Sequence, residues 1–278
     1  MARVHDFLVQ QNLAAVLLTG VNNFSWITAG LADNHVVITS EIGAASLLIT
    51  ADGRKFVIAS NSEMPRLMSE DLRGLGYEFR EYKWYEDKAA PGRRLAMVQQ
   101  IAGSSPVGTD VPILGLRDVA AEFARLRYQL TDSEIKKYRW LGRQAAEAVA
   151  EVCRAIQPGV TEYEMERMAS DALLRRGIRP TVLLMGADDR VLRFRHTVPS
   201  GKELNQYAFI NVCARKWGLV TSVGRFVHFG PLPDDLRKRV DASAQVTAKF
   251  LANTRTGAKA GDILEKSKKW TCITRAEP

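Results

Sequence analysis

Residues 210–230 read INVCARKWGLVTSVGRFVHFG, and this stretch decides the fold of the carboxy-terminal part of the chain. Apolar residues recur along both arms of the stretch, and the pair Trp217-Gly218 lies between the arms. This pattern around a glycine turn predicts a β-hairpin with strands over Tyr207 to Val212 and Leu219 to Val227. Hairpins of this kind occur in many sheets, so the functional reading depends on the polar residues and on the neighbouring segments.

Those neighbouring segments stand in a fixed order along the chain. Thr131-Asp132-Ser133-Glu134 and Thr161-Glu162-Tyr163-Glu164 are capping boxes, which predict helices that run to about Ile156 and about Arg176. A strand is predicted over Val182 to Met185, and the segment RHTVPSGKE occupies residues 195–203. After the hairpin, Asp234 to Asn253 predicts a third long helix.

These segments together resemble the creatinase and Xaa-Pro aminopeptidase superfamily, the pita-bread hydrolases. The family hairpin has an apolar-Asp-apolar-Gly-Ala strand, a Gly-Tyr pair, and a second Asp eleven residues after the first, ahead of Thr-Arg-Thr-Phe. Ala214, Gly218 and Arg225 match that pattern, whereas Asn211 and Ser222 replace the two metal-binding aspartates. The resemblance also covers the opening of both capped helices and the segment around residue 196, which is similar to the family's Pro-His-x-x-Pro-Ser.

The resemblance implies a set of candidate site residues. His196 corresponds to a family histidine that contacts substrate and transfers protons, and its alternative is a loop histidine bonded to backbone. Asn211, Ser222 and Arg225 are the candidate substrate-binding residues. The alternative for Asn211 and Ser222 is that they are neutral residues left behind after metal binding was lost. We expect no metal and no other cofactor, because an amide and a hydroxyl cannot replace bridging carboxylates.

Another acidic pair, Asp188-Asp189, precedes the His196 segment. Adjacent carboxylates in a loop diverge, so the pair predicts a solvated turn rather than an acid–base dyad.

Residues 1–127 predict a separate α/β domain. Helices are predicted over Arg3 to Gln11, Ser62 to Arg73, Arg94 to Ala102 and Leu116 to Leu126, and strands over Ala14 to Leu18, Ala45 to Thr50, Lys55 to Ala59 and Tyr77 to Tyr82. The segment Thr19 to Asn23 is predicted to be a loop. LLTGVNNFSWITAG at residues 17–30 resembles the opening of the creatinase and prolidase amino-terminal domain. The fold class expected is therefore α/β: an amino-terminal creatinase-type domain at 1–127 and a partial pita-bread α+β domain at 128–278.

The expectation that the pita-bread domain is partial comes from the resemblance. In the family a second half of the pita-bread domain supplies a histidine and two glutamates to the metal site, and the resemblance ends near Glu265. We therefore expect a truncated domain that exposes an apolar sheet face and pairs with a second copy as a homodimer.

Composition narrows the classes of partner and location. The 278 residues carry a formal net charge of +8, but the basic residues form scattered pairs without an aromatic array, which disfavours a nucleic-acid partner. No apolar run is long enough for a membrane span, and the first residues lack an apolar signal core. The three cysteines are far apart and odd in number, which disfavours a disulfide framework. These features predict a cytoplasmic protein.

The function expected from the sequence is that of a creatinase or Xaa-Pro aminopeptidase-like hydrolase relative. It is predicted to be metal-independent or inactive, with a small peptide or small amide as substrate if it is active. The alternative is a catalytically dead pita-bread domain that binds peptides or proteins. A conventional metalloaminopeptidase with unusual ligands is disfavoured by Asn211 and Ser222.

Overall fold

The computed structural model describes residues 1–89 and 92–271, which build two separate sheets with helices packed against them. The strands are β1 (Ala15–Gly20), β2 (Ile42–Thr50), β3 (Lys55–Ser60), β4 (Glu78–Tyr82), β5 (Val107–Thr109), β6 (Arg117–Asp118), β7 (Arg179–Ala187), β8 (Tyr207–Lys216) and β9 (Leu219–His228). The helices are α1 (Ala2–Gln11), α2 (Val21–Ile27), α3 (Met64–Arg66), α4 (Trp84–Ala89), α5 (Arg93–Ala102), α6 (Ala120–Ala124), α7 (Asp132–Ala155), α8 (Glu162–Leu174), α9 (Asp189–Arg193), α10 (Asp234–Asn253) and α11 (Ala260–Thr271).

The amino-terminal sheet has six strands in the order β4-β3-β2-β1-β5-β6. Strands β1, β2 and β3 are antiparallel neighbours, and the remaining pairings are parallel, so the sheet is mixed. Its central strands are apolar on both faces because helices and loops cover both sides, and two hydrophobic clusters form there. The predicted Asp52-Gly53 turn joins β2 to β3, with Gly53 at a φ of 88°.

One sequence prediction in this region was wrong, and two predicted helices differ from the structure in length or type. The predicted loop Thr19 to Asn23 is the end of β1 and the start of α2, where buried Asp110 accepts hydrogen bonds from the backbone amides of Thr19 and Gly20 and from the Asn23 side chain. The helix predicted over Ser62 to Arg73 is the short α3 followed by a π-helical turn, Leu67–Asp71. The helix predicted over Leu116 to Leu126 is shorter, because Arg117 and Asp118 pair with β5.

The second sheet is a three-stranded antiparallel sheet in the order β7-β8-β9. Both predicted capping boxes are present and begin α7 and α8, which pack on one face of this sheet. The alternate β8 residues Ala208, Ile210, Val212 and Ala214 are buried against the two helices. The other face of the sheet, called the open face below, carries the intervening β8 residues, which are only partly buried.

Helices α10 and α11 follow the hairpin and pack on each other. Helix α10 begins and ends where the sequence predicts, but none of its residues is buried. Within residues 1–89 and 92–271, every helix is too short or too polar to cross a lipid bilayer.

The tip of the β8–β9 hairpin contacts helix α2 and the loop that follows it in the amino-terminal region. The Arg215 guanidinium, which is buried, lies 3.3 Å from the Asp33 carboxylate and 2.7 Å from His35 Nδ1. Trp217 packs against Gly30, and Gly218 packs against Ser25 of α2. The hairpin that carries Asn211 and Ser222 is therefore fixed at its tip by residues far away in sequence.

Candidate active site

Asn211 and Ser222 lie close together on the open face of the second sheet. In the antiparallel register Asn211 pairs with Gly224, and Ser222 pairs with Cys213, so the two side chains are diagonal neighbours. The Ser222 hydroxyl lies 3.5 Å from the Asn211 side-chain oxygen, a distance that permits a long hydrogen bond. Gly224 leaves room beside them, because a Cβ at that position would lie 3.3 Å from the Asn211 oxygen.

Arg225 does not join this pair. It pairs with Ile210, whose side chain points toward the helices, so alternation along β9 places Arg225 on the opposite face from Asn211 and Ser222. On that face its positive charge lowers the pKa of the Cys153 thiol, although burial has the larger effect and the pKa is raised overall. The structure therefore separates Arg225 from the other two predicted substrate-binding residues.

His196 lies in the loop that follows α9, and its side chain is exposed. The next residue, Thr197, is buried and packs against Gly186 of β7, where a Cβ would lie only 2.8 Å from the Thr197 side chain. Gly186 pairs with Phe209, which shares the open face with Asn211. The loop that carries His196 therefore crosses the same face of the sheet as Asn211 and Ser222.

A buried carboxylate holds this loop in place. Glu162 has no solvent exposure and accepts hydrogen bonds from the backbone amides of Ala187 and Ser200, at 2.9 Å each, and from the Ser200 hydroxyl at 2.6 Å. The Arg190 guanidinium forms an ion pair with Glu162 at 2.9 Å and donates a further hydrogen bond to the Val198 carbonyl. One side chain of α8 thus ties together the end of β7, helix α9 and the His196 loop.

Sequence reasoning assigned Glu162 only to the start of α8 and missed this network. The local pattern gives no sign that a first-turn glutamate points inward, because its partners Ala187 and Ser200 lie 25 and 38 residues away. The sequence offered only an indirect sign of this network. Arg190 and Ser200 are polar residues close to the His196 segment, and a buried carboxylate such as Glu162 requires partners of this kind.

The prediction of a solvated turn at Asp188-Asp189 was wrong for Asp188. Its carboxylate accepts hydrogen bonds from the backbone amides of Asn205, Gln206 and Tyr207 and so fixes the start of β8. Partial burial raises the pKa of Asp188, but these three hydrogen bonds together outweigh it and leave the pKa below its usual value. Asp189 is exposed and pairs with Arg193 one helical turn away, so the two carboxylates do not form an acid–base dyad.

The donor set on the open face does not fit a pair of divalent metal ions. Asn211 and Ser222 offer a neutral amide and a neutral hydroxyl, whereas a dinuclear oxygen-ligand site depends on carboxylates that neutralise charge and bridge the ions. Within residues 1–89 and 92–271, histidine, cysteine, aspartate and glutamate side chains form no cluster of three or more that is suited to a metal ion.

Comparison with known proteins agrees with this fold. The family model for metallopeptidase family M24 matches residues 136–272. The match covers just under half of the 278 residues and supports a place for the chain in the creatinase and aminopeptidase P superfamily. The match begins within helix α7 and includes the hairpin, as the sequence resemblance predicted.

Solved structures share the architecture over almost the whole chain. The prolidase from Pyrococcus horikoshii OT3 matches with a TM-score of 0.78 at 14% sequence identity, covering 99% of this chain and 77% of that chain. The Xaa-Pro dipeptidase from Bacillus anthracis matches with a TM-score of 0.72 at 15% identity, with the same coverage of both chains. The N-terminal domain of FACT complex subunit SPT16 from Cicer arietinum matches with a TM-score of 0.67 at 12% identity, covering 98% of this chain and 75% of that chain. No curated protein matches the sequence.

Proposed function

We propose that this chain is a pita-bread hydrolase relative that operates without a dinuclear metal centre and binds a peptide or small amide on the open face. The single observation that carries the proposal is the pair Asn211 and Ser222, which adjoin on one face at the positions where the family resemblance expects two aspartates. Neutral donors can hydrogen-bond to a peptide group, but they do not neutralise metal charge.

The binding role draws support from the surroundings of the pair. The open face combines hydrogen-bonding groups with aromatic rings, since Phe209 and Phe226 stack there with ring centroids 4.8 Å apart. Apolar surface next to a few polar groups is the usual composition of a ligand site. One matched structure is the N-terminal domain of a subunit of the FACT complex, so this fold also occurs in a component of a protein complex.

A second candidate function is metal-independent hydrolysis of a C–N bond, with His196 transferring protons. The observation that favours it is the Glu162 network, which holds the His196 loop across the open face with a buried ion pair. Under this proposal Asn211 and Ser222 orient the substrate.

The predicted boundary between domains at residues 127 and 128 and the predicted cytoplasmic location stay predictions.

Metal analysis of the full chain tests the leading proposal. The protein is incubated with Mn²⁺, Co²⁺ or Zn²⁺, dialysed against metal-free buffer and measured by elemental analysis, with a metal-loaded prolidase carried through the same steps. We expect well under one equivalent of metal per chain. We also expect no Mn²⁺-dependent cleavage of an Xaa-Pro dipeptide. One or two retained equivalents would contradict the proposal.

Variants separate the two candidate functions. If the chain cleaves a small amide in the presence of a chelator, and His196→Ala lowers that rate at least roughly tenfold, the hydrolase is supported. The matched control is Arg195→Ala, which alters the adjacent exposed residue of the same loop and is expected to keep the rate. Binding of a peptide without cleavage, lost in Asn211→Leu, supports the binding module instead.

A further inference from the structure

A cavity lies between the end of the hairpin and helix α10, and neither Asn211 nor Ser222 lines it. Its volume is about 420 Å³, within the range of roughly 300 to 1,000 Å³ that is usual for small-molecule sites. Tyr207 and Phe226 line one side with their rings stacked 5.6 Å apart and 10° from parallel. Phe226 is 57% exposed, so its ring is accessible to a ligand.

The opposite side of the cavity is also apolar. Leu236 and Val240 stand four residues apart on α10, so they lie on the same side of the helix and face the cavity together. Neither residue is buried, although both are large and apolar. Two apolar surfaces therefore face each other across a space that a ring-sized group would fill.

One cation lines this cavity. Arg239 of α10 is exposed, and within residues 1–89 and 92–271 it forms no ion pair. An arginine fork matches a carboxylate in shape and charge and binds it with two parallel hydrogen bonds. The chemistry of the cavity is thus an apolar, aromatic interior with a guanidinium available at its edge.

We propose that this cavity binds a carboxylate with an aromatic or branched apolar body, either a free carboxylic acid or the carboxy-terminal residue of a peptide. The ring of the ligand packs on Tyr207 and Phe226, and its carboxylate pairs with Arg239. Both sources of ligand present the same chemistry, an apolar side chain within a few bonds of a carboxylate.

The cavity shares Phe226 with the open face, but its proposed ligand does not depend on the function proposed for the Asn211 and Ser222 pair. Along β8, Tyr207 and Asn211 are four residues apart, which corresponds to about 13 Å. Neither Asn211 nor Ser222 is among the residues that line the cavity. A chain that retained metal in the elemental analysis would still possess this site, so the two proposals fail separately.

Calorimetric titration with a matched pair of probes tests the proposal. The full chain is titrated with 3-phenylpropionate and with 3-phenylpropanamide, which has the same shape but no charge. We expect the acid to bind roughly tenfold more tightly than the amide, because the hydrogen bonds to Arg239 are charge-assisted. Arg239→Gln is expected to remove this preference, and Phe226→Ala is expected to weaken both probes.

Arg237→Gln is the matched control, because residue 237 lies on α10 two positions earlier, on a different side of the helix, and does not line the cavity. It is expected to leave both affinities unchanged. Absence of saturable binding by either probe would overturn the proposal, as would an acid preference that survives Arg239→Gln. The chain is then titrated with a peptide that ends in a free phenylalanine carboxylate and with the same peptide as its carboxy-terminal amide. Tighter binding of the free carboxylate shows that the cavity accepts a peptide end as well as a free acid.

Discussion

At the scale of single residues, Glu162 shows how one buried carboxylate positions a functional loop. Glu162→Ala leaves Arg190 and two hydrogen-bond donors of Ser200 without their acceptor. Removing one partner of a buried ion pair usually costs about 3 to 5 kcal/mol of the free energy of unfolding. We expect a loss of that size in denaturant unfolding of the full chain.

The control for this prediction lies in the same helix turn. Glu164 is exposed and closes the capping box with Thr161, so Glu164→Ala is expected to cost much less unfolding free energy than Glu162→Ala. Glu162→Ala should also make the segment 188–200 more sensitive to protease than Glu164→Ala does. Equal losses in the two variants would show that the Glu162 network does not stabilise the loop.

At the scale of structural elements, a glycine at the hairpin tip packs against helix α2 of the amino-terminal region. Gly218 has a φ of 73°, and a Cβ there would lie 2.5 Å from the Ser25 Cβ in α2. Gly218→Ala therefore combines backbone strain with a steric clash, and we expect it to cost about 2 kcal/mol or more of unfolding free energy. Thermal or denaturant unfolding of the full chain measures this cost.

Gly53→Ala is the matched control for the tip. Gly53 has a φ of 88°, but a Cβ there meets nothing within 4 Å, so its cost of about 1 kcal/mol reports backbone strain alone. The difference between the two variants measures the contact between the hairpin and α2. If Gly53→Ala proves as costly as Gly218→Ala, the tip contact contributes nothing.

The elements that sequence reasoning predicted correctly are those with local signals. The capping boxes at Thr161 and Thr131 and the apolar pattern around Trp217-Gly218 act within a few residues, so α7, α8, β8 and β9 follow from them. Helix α2 was missed because the start of that helix depends on Asp110, which lies 87 residues from its partner Asn23.

The arrangement of the candidate site was only partly predictable. The family resemblance identified Asn211 and Ser222, and in the structure they lie side by side. The position of Arg225 on the other face could have been predicted from the hairpin. A two-residue turn at Trp217-Gly218 pairs Asn211 with Gly224, so the next residue, Arg225, points to the opposite face. The Glu162 network could not be predicted, because its contacts form only when β7, α8 and the His196 loop are packed together.

At the scale of the whole molecule, the open face exposes apolar surface that a second copy can cover. Val182 of β7, Val220 of β9 and Phe226 of β9 are 39%, 42% and 57% exposed on this face. Burial of apolar area stabilises association by about 25 cal/mol per Å², and contiguous apolar patches commonly mark interfaces. We therefore predict a homodimer in which the open faces pair about a twofold axis, with the ligand proposed for Asn211 and Ser222 bound between the two copies.

Light scattering coupled to size exclusion measures this prediction at micromolar protein concentration. We expect the mass of a dimer for the unmodified chain and of a monomer for Val220→Lys, because each copy would bring a charge into the paired faces at symmetry-related positions. Val9→Lys is the control, since Val9 is 64% exposed on α1, far from the open face in sequence, and should leave the dimer intact. A hydrophobic dye should bind Val220→Lys more strongly than Val9→Lys, because dissociation uncovers the remaining apolar residues. A compact monomer of the unmodified chain that binds no dye would contradict the pairing and would mean that the open face is covered within one chain.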